Sequence, residues 1–107
     1  MQTQSLHQAF SALGDPTRFA IVERLLQEGE MSAGQLVEGV ALSGPAVSKH
    51  LKVLRESGLV THRVDRQRRM YAVKGETFQA IQRWTMSHQK FWEDGLDRLA
   101  RALKEED

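Results

Sequence analysis

Two stretches hold most of the side chains that could do chemistry: residues 43–57, SGPAVSKHLKVLRES, and residues 62–69, HRVDRQRR. In the first, Val47, Leu51 and Leu54 recur at spacings of four and three, as on one buried face of a helix. Pro45, Ser48, Lys49, Lys52 and Glu56 then fall on the opposite face. A major groove admits one such helix, and its N-terminal residues reach base edges most easily. Ser48 can donate or accept there, and Lys49 can reach a guanine acceptor edge or a phosphate. Gly44 and Ala46 keep the helix start slim, while Lys52 and Arg55 lie further along and suit backbone phosphates. In the second stretch Arg63, Arg66, Arg68 and Arg69 crowd onto a short ribbon, where they repel one another unless phosphate lies beside them. A merely solvated turn is the plainer reading of that ribbon.

The charge distribution favours the polyanion. The net charge of +1 averages three unlike segments. Residues 1–44 carry two basic and five acidic residues, and residues 75–107 carry five and seven. Residues 45–74 carry eight basic (Lys49, Lys52, Arg55, Arg63, Arg66, Arg68, Arg69, Lys74) against Glu56 and Asp65, a net +6. A basic surface that meets an acidic protein is the alternative from another functional class.

Other chemistries find little support. The chain has no cysteine, which excludes disulfides and thiolate metal sites and fits a reducing compartment. It shows no glycine-rich phosphate loop and no convincing triad or metal cluster, so no enzyme and no cofactor are expected. His88 is followed by Glu93 and Asp94, but positions three and four after it are Phe91 and Trp92. It therefore reads as an interface residue rather than a metal ligand, although His7 could approach it if the first and last helices pack. The aromatic set Phe78, Trp84, Phe91 and Trp92 is read as core or interface, with a ligand pocket as the alternative. Met31, Met70 and Met86 are read as gap-fillers.

The elements that position these residues follow from periodicity and capping. One domain is expected from 107 residues, of which 40% are hydrophobic and 27% charged, a globular rather than disordered mix. Leu6, Phe10 and Leu13 place a first helix at residues 4–13. Asp15 as N-cap and Pro16 at the first position start a second, which runs to about Glu28 with Phe19, Val22, Leu25 and Leu26 inward. Ser32 and Gln35 have capping-box spacing and open a short third helix carrying Leu36, Val37 and Val40. Ser43 caps the fourth helix and Gly58 supplies its left-handed exit. LVTHRV and RMYAV flank DRQR as a hairpin. Residues 76–104 then read as helix for up to 29 residues, a span on the order of 40 Å. Its apolar face exceeds what so small a domain can cover, and a second copy of the chain is the simplest partner. Neither a signal segment nor a membrane-spanning run is present, so a cytoplasmic protein is expected.

This order, mainly α with a small β-hairpin, is the layout of a winged helix-turn-helix with a long C-terminal dimerisation helix. LGDPTRFAIVERLL, LSGPAVSKHLKVLRESGLV and RRMYAV resemble the ArsR family of winged-helix transcriptional repressors. The resemblance covers roughly residues 6–74, and the last helix extends it. It implies a homodimer joined through the first and last helices, with Leu6, Phe10, Phe78, Ile81, Trp84, His88, Phe91, Trp92 and Leu99 at the interface. It further implies binding to an inverted-repeat DNA operator and repression until a signal releases it; the inducer stays unidentified. Carried onto this chain, the groove-reading positions are Ser43, Gly44, Ala46, Ser48 and Lys49, and His50 is read as a packing or phosphate-contact residue. Many relatives carry a polar side chain such as glutamine where this chain has Gly44, which shifts base reading toward Ser48, Lys49 and the wing. Relatives that sense soft metals use cysteines in the third helix; AGQLVEGV has none, so metal-independence is expected.

Overall fold

The computed structural model describes residues 3–105. In chain order they form α1 (Thr3–Leu13), α2 (Pro16–Glu28), β1 (Met31–Ser32), α3 (Ala33–Glu38), α4 (Gly44–Glu56), β2 (Val60–Asp65), β3 (Arg68–Val73), α5 (Gly75–Ser87) and α6 (Gln89–Glu105). The strands make one antiparallel sheet in the order β1-β3-β2. This is the winged helix-turn-helix that the sequence predicts. The two-residue β1 escapes sequence reading because it has no period of its own; it exists through the pairing of Met31 with Tyr71 and Ser32 with Met70.

The expected caps are present. The Asp15 carboxylate accepts the Arg18 amide at 3.0 Å, ahead of Pro16 in the first turn of α2. Ser32 and Gln35 form the reciprocal capping box: the Ser32 amide donates to Gln35 Oε1 at 2.8 Å and the Gln35 amide to Ser32 Oγ at 3.2 Å. At the end of α4, the Leu59 amide reaches the Leu54 carbonyl (2.9 Å) and the Gly58 amide the Arg55 carbonyl (3.1 Å). That is the Schellman pattern, and it requires the left-handed backbone that Gly58 adopts at φ +81°. The buried Leu54 and Leu59 supply its hydrophobic contact.

The core gathers Ala9, Ala12, Ile21, Val22, Leu25, Met31, Leu36, Val47, Leu51, Leu54, Leu59, Val60 and Tyr71. On α2 the buried stripe is Ile21, Val22 and Leu25, whereas Phe19 and Leu26, expected inward, are 49% and 52% exposed. Apolar residues cover more than half of that helix's circumference, so periodicity alone could not choose between two rotations. The short α3 is locked from outside its own sequence. Arg24 of α2 donates to the Leu36 and Gln35 carbonyls at 3.1 and 3.3 Å, and a Cβ at Gly39 would overlap its guanidinium.

The last helical stretch is divided. His88 takes φ −109° and ψ 14° between α5 and α6, so residues 76–104 are not one uninterrupted helix. The run TMSH explains the break, because polar side chains there compete for backbone carbonyls. Thr85 Oγ1 donates to the Ile81 carbonyl (3.0 Å), Ser87 Oγ to the Trp84 carbonyl (2.8 Å), and His88 Nδ1 lies 2.8 Å from that same carbonyl. The chain extends over 62 × 30 × 22 Å, and α6 contributes no buried residue. No helix among the described residues is long and apolar enough to cross a membrane.

Candidate nucleic-acid interface

Helix α4 divides as its sequence requires. Val47, Leu51 and Leu54 are buried, while Pro45, Ser48, Lys49, Lys52 and Glu56 are exposed. The Ser43 hydroxyl accepts the Ala46 amide at 3.3 Å, so as N-cap it is partly committed. Among the described residues, Ser48 and Lys49 have no side-chain hydrogen bond or ion pair. Lys52 lies 4.0 Å from Glu56, both well exposed, an i,i+4 pair of small energetic value.

Two other α4 side chains are turned to internal work. His50 is half-buried, with Nδ1 3.5 Å from Arg18 Nη1 and 3.8 Å from Asp15 Oδ2. Arg55 is half-buried too, and its Nη1 reaches His62 Nδ1 of β2 at 3.3 Å, where the imidazole stacks on Tyr71. A guanidinium has no acceptor, so each contact requires an unprotonated Nδ1. Sequence reading singled out His50 and Arg55 for their position near DNA; neither partner could be read, since one lies 32 residues away and the other beyond a turn. Asp15, read only as a cap, and Arg18, not singled out at all, thus join the surroundings of the candidate interface. The backbone amide of Arg18 is the main influence holding the Asp15 carboxyl below the usual carboxylate range.

The wing is sorted by register. Cross-strand partners share a face, which puts Val60, His62, Val64, Arg69, Tyr71 and Val73 on one side and Thr61, Arg63, Asp65, Arg68, Met70 and Ala72 on the other. Arg68 therefore sits opposite Asp65, and Arg68 and Arg69 project to opposite sides of the ribbon. Arg66 occupies the two-residue turn at φ +60°. A non-glycine residue there costs about 1–2 kcal/mol of backbone preference, so the charge is kept at the tip despite the conformation. Arg63 differs from the other three: its Nε and Nη2 donate to Glu30 at 2.8 and 2.7 Å, a bidentate pair bracing β2 against the loop before β1.

That pair gives a direct prediction. The Arg63 hydrogen bonds hold the Glu30 carboxyl below its ordinary value of 4.5. A depressed carboxylate stabilises the fold above its unfolded pKa and loses that contribution as pH falls through the folded one, so the brace is complete at neutral pH and opens in acid. Carboxyl-detected NMR titration should find the Glu30 pKa below 4.5, and Arg63→Met should return it to the ordinary value. An unchanged midpoint in the variant would show that the pair does not form in solution.

The residues expected at a subunit interface fall into two groups. Leu6 is buried within the protomer, and Phe78 and Ile81 are half-buried against its own core. Phe10, Trp84, Phe91, Trp92 and Leu99 remain exposed, and so do Leu96 and Leu103. The Phe10 and Trp84 rings meet edge-on at 5.5 Å, and Trp84 continues to His88 at 4.9 Å.

Comparison with known proteins agrees with this geometry. Residues 13–63 match a family model described as a helix-turn-helix domain. The chain is 37% identical over 103 residues to the HTH-type transcriptional regulator Rv2034 of Mycobacterium tuberculosis, covering 96% of this chain and 92% of that protein. A crystal structure of an ArsR family transcriptional regulator, RHA00566, superposes with a TM-score of 0.76 at 30% identity, over 87% of this chain and 95% of that one. The chain belongs to the ArsR family. It is therefore a DNA-binding transcriptional regulator and not an enzyme. The chain is also similar to the transcriptional repressor SdpR of Bacillus subtilis, 29% identical over 77% of this chain and 90% of that protein.

Proposed function

We propose that the chain is a homodimeric, metal-independent repressor of an inverted-repeat operator. Each copy lays α4 in a major groove and sets the β2–β3 wing on neighbouring phosphates or the minor groove. The observation that carries this reading is the face of α4: Ser48, Lys49 and Lys52 stand exposed on a helix that touches the arginine ribbon through Arg55 and His62, while the opposite face is spent on the core. Ser48 and Lys49 lie in the first turns, where base edges come within reach. Gly44 and Ala46 let the helix end approach closely, and Lys52, Arg66, Arg68 and Arg69 meet phosphate. The repressor SdpR among the relatives supports repression as the outcome.

Dimerisation is supported by α6. Trp92, Leu96, Leu99 and Leu103 repeat at spacings of four, three and four along a helix with no buried residue, the seam of a helix pair. Most helical stability in proteins comes from packing of an amphipathic face, so the exposed seam calls for a partner helix. Metal-independence is supported by the lack of cysteine and by the absence, among the described residues, of any three His, Asp or Glu side chains grouped as ligands.

The test is selection of duplexes from a random-sequence pool, followed by affinity at two salt concentrations and light scattering at micromolar protein. A preferred inverted repeat bound at least ~10³-fold over random DNA is expected, with a steep negative salt slope and a mass of two chains. Lys49→Ala should weaken that duplex about tenfold more than random DNA. Equal losses on both would make Lys49 a phosphate contact. Absence of any sequence preference would instead favour a basic surface that docks an acidic protein.

A further inference from the structure

Arg18 connects three elements: α1, α2 and α4. Its Nε donates to the Ala12 carbonyl at the end of α1 at 2.8 Å, and its Nη1 reaches His50 Nδ1 on α4 at 3.5 Å. Its own amide is held by Asp15, whose carboxylate also lies 3.8 Å from the His50 imidazole. The Ala12 carbonyl is one of the last four of α1, which a helix cannot satisfy internally, and a guanidinium suits that negative end. The other face of α1 carries the exposed Phe10 ring against Trp84 of α5. One side chain therefore spans from α1, expected from its sequence at the subunit interface, to the helix proposed to meet DNA.

We propose that Arg18 and His50 form a positioning joint that sets the angle of α4 relative to the subunit interface, and so fixes which half-site spacing the dimer accepts. This rests on the dimeric DNA-binding reading above. Its physical basis is the difference between directional and non-directional contacts. Val47, Leu51 and Leu54 hold α4 to the core by burial, which fixes a face but tolerates small sliding and tilting. The guanidinium–imidazole contact has a direction and a length, as does the Arg55–His62 contact toward the wing. In a dimer the two recognition helices must fall about one helical turn, ~34 Å, apart. A small tilt at each α4 is magnified across that separation, whereas the contacts within one half-site move far less. The joint therefore acts on spacing discrimination more than on the affinity of a half-site, and neither residue needs to touch a base.

The experiment compares wild type with Arg18→Lys, His50→Ala and His50→Asn, the last retaining an acceptor near the place of Nδ1. The probes are the duplex selected by wild type, the same duplex with its spacer lengthened or shortened by one base pair, and a single half-site. Circular dichroism and the urea midpoint establish that each variant is folded, so that Arg18→Lys and His50→Ala serve as independent routes should one unfold. Wild type is expected to reject the altered spacers by at least about tenfold. Arg18→Lys should reduce that rejection to about threefold or less with half-site affinity within about twofold of wild type; His50→Ala should reduce the rejection equally, and His50→Asn should restore most of it. Unchanged spacing preference in both disrupted variants overturns the joint while leaving DNA recognition intact. So does an equal loss on full and half sites, which would mark a local structural contact. If wild type selects no duplex at all, the DNA reading fails first, and the joint falls with it.

Discussion

Leu51→Ala is expected to cost about 3 kcal/mol of unfolding free energy, within the range for truncating a leucine in a close-packed core. Leu51 is 1% exposed and lies between Val47 and Leu54 on the buried face of α4, in the same cluster as Ile21, Leu25 and Leu36. Removing three carbons there leaves a void that α2 and α3 cannot both close, since α3 is anchored by Arg24 and by its capping box. For a domain whose total stability is on the order of 5–15 kcal/mol, the loss is large. It should appear as a lower urea midpoint with an unchanged slope. Lys49→Ala, on the exposed face of the same helix, should change the unfolding free energy by no more than about 0.5 kcal/mol. If the two variants were equally destabilised, the division of α4 into a core face and a DNA face would be mistaken.

The second large effect concerns the wing. Arg68→Ala combined with Arg69→Ala should weaken binding to every duplex about 100-fold and flatten the salt dependence by about two phosphate equivalents. The register makes this more informative than deleting two charges from one surface. Arg69 shares a face with Val64 and Tyr71, and Arg68 lies on the other face opposite Asp65. A ribbon that stands edge-on to the duplex brings both guanidiniums to phosphate, so the single variants should each lose about one phosphate equivalent of salt slope. A ribbon lying flat would load the whole effect onto one of them. Arg63→Ala should act differently, because its guanidinium braces Glu30 and its loss disturbs the wing's seat rather than a phosphate contact. Salt titrations of the double variant, each single variant and Arg63→Ala separate these cases. Unaltered affinity in the double variant would remove the wing from the DNA-binding surface.

What the sequence determined by itself was everything governed by local rules. Asp15, Ser32 and Ser43 cap as read, because capping depends on residues within three positions of one another. The buried stripe of α4 and the glycine exit at Gly58 follow from helical period and backbone sterics. The hairpin, too, is set by alternation and a polar turn. Tertiary structure decided what depends on residues distant in sequence. It chose which rotation of α2 faces inward, leaving Phe19 and Leu26 outside, because that choice belongs to the surfaces α2 meets rather than to α2. It turned Arg63 toward Glu30 and sent His50 and Arg55 to Arg18 and His62. It also interrupted the last helix at His88, where side chains bonding to carbonyls a turn back outweigh strong helical periodicity on both sides. Local free energies suffice to make the basic helix and the ribbon; aiming them requires side-chain contacts of 2.7–3.5 Å that only the folded chain brings together.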